Sequence, residues 1–167
     1  IVLLSDYRNG IFTEKFTKKV IKILKSKNIE ILLDQQSTST DPDLLKFKGI
    51  DYLFLNEREL IKSFKIYKIR NLNLKKAIVT LQNKIGINKL VVKLGQSGCL
   101  YSDKQCFVRS KAYKVLNNVN TIGAGDFFIA KFVTLYLYDI KRRLSEANKY
   151  AYLKIIGKLK TKNLLVK

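Results

Sequence analysis

The stretch Asn120-Thr121-Ile122-Gly123-Ala124-Gly125-Asp126 decides how this sequence is interpreted, and the apolar run Phe127 to Leu137 follows it. Glycine tolerates positive φ and lets a ligand come close to the backbone. A glycine-rich turn that opens a helix points unpaired N–H groups outward, and their natural ligand is an anion such as phosphate. The stretch therefore predicts an anion site at a helix start.

Asp126 falls in the first turn of that predicted helix. A carboxylate beside a bound phosphate is suited to take a proton from an attacking hydroxyl group, which makes Asp126 a candidate general base. The structural alternative is an ordinary strand-to-helix turn, in which the Asp is favoured by the helix dipole.

Apolar runs of strand length alternate with helical patterns along the chain. The predicted strands are Ile1–Leu4, Ile29–Leu33, Ile50–Leu55 and Lys89–Leu94, followed by a hairpin over Cys99–Val108. The predicted helices include one from Ala124 to Tyr138, with Tyr136 and Tyr138 in the core or an interface, and a last one from Ser145. This alternation predicts a Rossmann-like α/β fold with a mostly parallel central sheet flanked by helices.

Polar residues or glycine follow several of the predicted strands, namely Asp6, Asp34, Asn56 and Gly95. In open α/β sheets, ligands bind at the carboxyl ends of the strands. We therefore expect these positions to share one crevice with the glycine-rich helix start. Individually, each also fits a purely structural role as a turn residue or a helix cap.

Composition limits the classes of function. The chain has 167 residues, 47% of them apolar, which is enough for one domain with a substantial core. No apolar run reaches the roughly 18 residues of a membrane span. The net charge of +20 would suit a nucleic-acid partner, but the lysines are spread through every segment instead of forming one stripe. A generally basic surface is the preferred interpretation, and a nucleic-acid-binding module is the alternative.

Cys99 and Cys106 are the only cysteines, and the sequence has no His, so no zinc site is expected. Two isolated cysteines suit a reducing, cytoplasmic compartment. The sequence has no Met and opens on an apolar run at Ile1, so we expect it to be a piece of a longer protein.

Motifs along the whole chain resemble those of the ribokinase-like (PfkB) carbohydrate kinases. Gly123–Asp126 resembles the Gly-Ala-Gly-Asp signature of that family, and Asn56–Glu59 resembles its Asn-x-x-Glu motif. Val91–Gly98 resembles the strand and turn before the nucleotide loop, and Ala147–Leu159 resembles the closing helix and its end. The resemblance implies that residues 1–167 form a single partial domain, the C-terminal half of such a kinase, without the N-terminal part and the lid.

The resemblance also implies ATP, Mg²⁺ and a sugar or sugar-phosphate substrate. It makes Asp126 the catalytic base and the amides of Gly123, Ala124 and Gly125 the anion hole for the γ-phosphoryl group. Asn56 and Glu59 would organise the magnesium ion. The other implied contacts are Lys93, Gly95, Gly98, Asn148 and also Asn56 for the nucleotide, and Asp6 for the substrate.

Within the family, Ser5-Asp6-Tyr7 and Lys46–Ile50 look most similar to the heptose 7-phosphate kinases. Those enzymes make precursors of lipopolysaccharide and are often fused to an adenylyltransferase domain. The resemblance allows a homodimer of the full-length protein. It also implies that the 167-residue chain alone does not phosphorylate sugars, because most sugar contacts of the family lie in the half that precedes it.

The flanks of the motif depart from the family pattern. Asn120 stands where Asp is usual, and Ile122 and Lys93 stand where Thr is usual. The change at Ile122 removes a hydroxyl group near the phosphates or a nearby cation. An inactive relative that binds nucleotide without transferring a phosphoryl group is therefore an alternative to an active sugar kinase.

Overall fold

The computed structural model describes residues 1–36, 43–115 and 120–159. Its strands are β1 Val2–Asp6, β2 Ile31–Gln35, β3 Tyr52–Asn56, β4 Lys89–Lys93, β5 Cys99–Ser102 and β6 Phe107–Ser110. Its α-helices are α1 Glu14–Ser26, α2 Glu57–Ile66, α3 Leu74–Ile85, α4 Ala124–Thr134 and α5 Ile140–Ile155. Short 3₁₀ turns occur at Leu45–Phe47 and Gly95–Ser97.

The six strands form one sheet in the order β1-β2-β3-β4-β5-β6. Strand β2 pairs in parallel with both β1 and β3, so that Leu33 lies opposite Leu4 on one side and Leu53 on the other. Residues 103–106 connect β5 to β6, and the Asp103 amide donates to the Cys106 carbonyl at 3.2 Å. Such a tight connection joins antiparallel strands, so the predicted hairpin and the mostly parallel α/β fold are both confirmed.

The chain divides into two compact units, one of Ile1–Val92 with Tyr101–Phe107 and one of Lys93–Leu100 with Val108–Lys167. In the first unit, β2 is buried along its whole length, as expected for a parallel strand covered on both faces. Helix α3 contributes Ile78, Leu81 and Ile85 to the core of this unit, all without exposed surface.

The core of the second unit lies where α4 packs against α5. Phe128 and Phe132 of α4 and Leu144 of α5 are buried there. Arg143 is also buried, since its Nε donates to the Phe132 carbonyl at 3.3 Å and its guanidinium lies 3.9 Å from the Phe132 ring centroid. This contact satisfies one of the carbonyl groups that the last turn of α4 leaves without a helical partner.

The predicted bounds of two helices in this unit are wrong. Helix α4 ends at Thr134 and not at Tyr138. The side chains of Tyr136 and Tyr138 are exposed and do not lie in the core, and their alternative place in an interface stays a prediction. Helix α5 begins at Ile140, well before Ser145, because the Asp139 carboxylate accepts from the Arg142 amide at 3.1 Å and caps the helix.

Candidate functional site

The glycine-rich stretch forms a tight turn that opens α4. Gly123 is the N-cap residue and has φ +79°, a left-handed conformation that glycine adopts without steric cost. The Asn120 carboxamide oxygen accepts from the Ile122 amide at 2.9 Å, and the Thr121 carbonyl accepts from the Ala124 amide at 3.1 Å. The turn is therefore fixed by its own hydrogen bonds.

The helical hydrogen bonds of α4 begin with the Phe127 amide, which donates to the Gly123 carbonyl at 3.1 Å. The amides of Gly125 and Asp126 belong to the first turn, whose N–H groups have no partner inside the helix. Asp126 is exposed and lies in this first turn, as predicted. The anion hole of three amides stays a prediction, and in this structure one of the three, that of Ala124, is engaged with Thr121.

Two lysines lie against the glycine turn. The Lys93 ammonium nitrogen lies 3.5 Å from the point where a side-chain carbon on Gly125 would stand. The Cε atom of Lys154 lies 3.5 Å from the equivalent point on Gly123, and its Nζ lies 5.5 Å from the Phe127 ring centroid. The positive charge of both side chains adds to the positive end of the helix dipole, so this end of the second unit favours an anion.

A cavity of about 320 Å³ adjoins the turn, and all of its lining residues belong to the second unit. Lys93, Gly95, Gly98 and Asn148, which were predicted as nucleotide contacts, all line it, together with Ala124 and Gly125. The structure thus brings these predicted residues together around one space, while their roles in binding stay predictions.

Gly98 shapes one wall of the cavity. It has φ +88°, and a side-chain carbon there would stand 2.0 Å from the Ser110 carbonyl oxygen. No other residue type fits this close approach between backbone segments without moving one of them. The requirement for glycine at this position is therefore explained by packing, whatever the cavity binds.

Asn148 is buried, and its Nδ2 donates to the Ser110 carbonyl, the Ser110 hydroxyl and the Lys111 carbonyl at 3.2, 3.0 and 3.2 Å. Nδ2 also lies 3.4 Å from the Cys99 sulfur. Burial raises the pKa of the Cys99 thiol to about 12, although the Asn148 contact acts in the opposite direction. Asn148 therefore holds α5 to the segment that follows β6, and Cys99 is an uncharged core residue at neutral pH.

The rest of the cavity is mainly apolar. Tyr113 and Tyr152 line it with their ring centroids 5.3 Å apart and their planes at 26°, a stacked arrangement. Both tyrosines and Lys154 were absent from the site residues predicted from the sequence. Tyr152 could have been found, because it stands four residues after Asn148 and therefore shares its helix face. No sequence pattern connects Tyr113 with Tyr152.

Three other predicted site residues lie in the first unit. Asp6 is buried and accepts from the Gln35 Nε2 and the Arg8 amide, each at 2.9 Å, with Lys46 Nζ at 3.6 Å. Its substrate role stays a prediction.

Asn56 and Glu59 form a capping box at the start of α2, in which Asn56 Oδ1 accepts from the Glu59 amide at 2.9 Å. Glu59 Oε2 in turn accepts from the Asn56 amide at 2.7 Å. Within the described part of the chain, no cluster of three or more His, Cys, Asp or Glu residues could hold a metal ion by itself. The metal role of this pair stays a prediction.

The cavity combines an apolar, aromatic part with a glycine turn flanked by two lysines. Such an arrangement suits a ligand that has a flat ring system at one end and phosphates at the other. Within residues 1–36, 43–115 and 120–159, no helix has the length and apolar character needed to cross a membrane.

Comparison with known proteins gives consistent results. Residues 10–155 match the pfkB family of carbohydrate kinases. The bifunctional protein HldE of Campylobacter jejuni subsp. doylei is 32% identical over 129 residues, which is 77% of this chain and 27% of that protein. The HldE protein of Campylobacter curvus is 28% identical over 150 residues, covering 89% of this chain and 31% of that protein. The chain thus spans about a third or less of the length of these relatives.

Solved structures support the same fold. Arabidopsis thaliana ribokinase, in a complex with ribose and ATP, superimposes with a TM-score of 0.76 at 22% identity, covering 99% of this chain and 56% of that one. Thermotoga maritima ribokinase gives a TM-score of 0.72 at 23% identity, covering 98% and 52% of the two chains. The predicted ribokinase-like fold is therefore confirmed.

Proposed function

Because this chain belongs to the pfkB family of carbohydrate kinases, we propose that it supplies the ATP-binding and phosphoryl-transfer part of a sugar kinase. The observation that carries the proposal is the cavity of the second unit, where the glycine turn of α4 and Lys93 adjoin an aromatic wall. The triphosphate lies at the helix start, and the adenine occupies the apolar part.

The phosphate contacts follow from charge and geometry. Lys93 and Lys154 stand against the glycine turn, and the first-turn amide of Gly125 points out of the helix. Phosphoryl transfer needs positioning and charge stabilisation more than covalent chemistry. Each hydrogen-bond donor that is aimed at the transferred group lowers the activation barrier by on the order of 3 kcal/mol.

Asp126 takes the proton of the attacking sugar hydroxyl in this proposal. As the hydroxyl oxygen bonds to the γ-phosphorus, the bond from that phosphorus to the bridging oxygen of ADP breaks. The exposed position of Asp126 in the first turn of α4 leaves its carboxylate accessible to a substrate. A positioned base of this kind contributes typically 10²–10⁴-fold in rate.

The metal part of the proposal assigns Mg²⁺ to Asn56 and Glu59, from the family resemblance. Mg²⁺ prefers oxygen ligands, keeps several waters and often uses only one or two protein carboxylates together with phosphates. Asn56 and Glu59 present carboxamide and carboxylate oxygens at the start of α2, and Mg²⁺ prefers oxygen ligands of this kind. When bound, the ion neutralises charge on the phosphates.

The substrate we propose is a heptose 7-phosphate, with Asp6 on the substrate side and the reaction in the cytoplasm. The support is the similarity to HldE proteins together with the Ser5-Asp6-Tyr7 segment.

One observation favours a second candidate function, that of a relative that binds nucleotide without transferring a phosphoryl group. The Ile122 side chain, which replaces the usual Thr, is 81% exposed and offers no hydroxyl to the phosphates.

The test compares ATP binding with phosphoryl transfer. Asp126→Asn in the full-length protein should lower kcat for heptose 7-phosphate by about 10²–10⁴-fold and leave ATP affinity intact or higher. Asp103→Asn is the matched control, because an Asn there can still accept from the Cys106 amide. Wild-type protein that binds ATP but transfers nothing would establish the second candidate, and absence of ATP binding would refute both.

A further inference from the structure

The stacked pair Tyr113 and Tyr152 forms an aromatic surface on the cavity. Tyr113 comes from the segment after β6 and Tyr152 from α5, and both line the cavity next to Ala112, Ala151 and Ile155. Their stacking at 5.3 Å fixes each ring against the other, so the surface is preorganised.

Among the residues that the structure describes, the side-chain N–H groups lining the cavity are poorly placed to donate to the edge of a base. An Asn amide has two N–H donors, and Asn148 Nδ2 already faces three oxygens, those of Ser110 and Lys111. Lys93 lies against the glycine turn, and Thr121 is part of it. Gln96 is exposed, so water competes for its amide.

We propose that the nucleobase is selected by stacking on the Tyr113–Tyr152 pair and not by hydrogen bonds to its edge. This inference rests on the proposed nucleotide site and adds its specificity. Stacking depends on the area of the ring system, so a purine binds better than a pyrimidine. A site that rejects an analogue strongly needs directed polar contacts, and without them adenine and guanine are accepted about equally.

The test measures equilibrium affinities of the chain for ATP, GTP, CTP, UTP and inorganic triphosphate by calorimetry. For the wild-type chain, we expect the dissociation constants of ATP and GTP to agree within about threefold. We expect CTP and UTP to bind at least about tenfold more weakly, as stacking energies of bases on aromatic side chains suggest. This comparison does not depend on the folding of any variant.

Variants then test whether the two tyrosines are responsible for the differences in affinity. Tyr113→Leu and Tyr152→Leu should each weaken the binding of ATP and GTP by roughly 5-fold to 100-fold and leave the affinity for inorganic triphosphate unchanged. Tyr152→Phe keeps the ring and should bind ATP like the wild type. Tyr150→Leu is the control on the same helix. Lys131 Nζ lies 4.4 Å from the Tyr150 ring centroid, and Tyr150 does not line the cavity.

Several results would overturn the inference while the proposed function stands. They are a preference for ATP over GTP of more than about 30-fold, equal binding of pyrimidine and purine nucleotides, or ATP affinity unchanged in folded Tyr113→Leu and Tyr152→Leu proteins. A wild-type chain that binds no nucleotide at all would refute the proposed function and the inference together.

Discussion

The ammonium nitrogen of Lys93 lies 3.5 Å from the point where a side-chain carbon on Gly125 would stand. A methyl group at that point would make an ordinary van der Waals contact with Lys93 and would not disturb the fold. It would, however, occupy the space between a cation and a helix start, where a phosphate oxygen belongs in our proposal. A substitution at Gly125 can therefore change ATP binding without lowering the stability of the fold.

Gly125→Ala should keep or raise the free energy of unfolding, by up to about 1 kcal/mol, because Ala favours the helix more than Gly does. The same variant should weaken ATP binding by at least about tenfold. Urea unfolding and calorimetry measure the two quantities, and adenosine, which has no phosphates, is the internal control. Unchanged ATP affinity in the folded variant would place the phosphates elsewhere.

Gly98 and Gly95 both line the cavity but differ in the space around them. Gly98→Ala should cost at least about 3 kcal/mol of unfolding free energy, because the new carbon meets the backbone at Ser110. Gly95 has φ +55° and no atom within 4 Å of an added carbon, so Gly95→Ala should cost only about 1–2 kcal/mol. Equal costs in urea unfolding would show that the close approach at Gly98 is not what requires glycine.

The sequence predicted what local rules control. The parallel strands, the hairpin and the helix start at Ala124 follow from apolar runs and turn residues, and they are confirmed. The errors come from the segment Tyr136–Tyr138, whose apolar character extended the predicted α4 and delayed α5. Asp139 was a usable signal, since Asp is a strong N-cap residue, but the exposure of the aromatic side chains before it is a tertiary fact.

The residues of the site also divide into those that were predicted from the sequence and those that were not. The glycine turn, Lys93 and Asn148 were predicted from the family resemblance, and the structure places all of them at the cavity. Tyr113 and Tyr152 were missed because their contact joins a loop to a distant helix, and no periodicity relates them. The engagement of the Ala124 amide with Thr121 likewise depends on the exact turn geometry, which residue types alone do not determine.

Glu59→Gln separates the two roles of the capping box. The Gln carboxamide oxygen can still accept from the Asn56 amide, so the helix cap is kept, whereas Asn56→Ala should cost about 0.5–2 kcal/mol. If the Glu59 charge also holds the waters of Mg²⁺, the half-saturating Mg²⁺ concentration of the full-length enzyme should rise by about tenfold or more in Glu59→Gln. An unchanged Mg²⁺ dependence would leave the pair with capping alone.

The buried Cys99 thiol makes stability depend on alkaline pH. Burial raises its pKa from 9.0 to about 12, so between these values the unfolded chain loses a proton that the folded chain keeps. Stability is therefore full below pH 9 and falls as the pH rises through this window. From pH 8 to pH 10, wild type should lose about 1.4 kcal/mol more than Cys99→Ala in urea unfolding. Equal losses in the two proteins would contradict the assignment.

We propose that the cavity of the second unit is an ATP site. Photolabelling with an azidoadenine analogue of ATP, followed by mass spectrometry, tests it most directly. We predict that the label attaches to the segments that contain Tyr113 and Tyr152, and that excess ATP prevents it. Labelling that ATP does not suppress, or ATP-protected labelling confined to residues 1–92, would contradict the account.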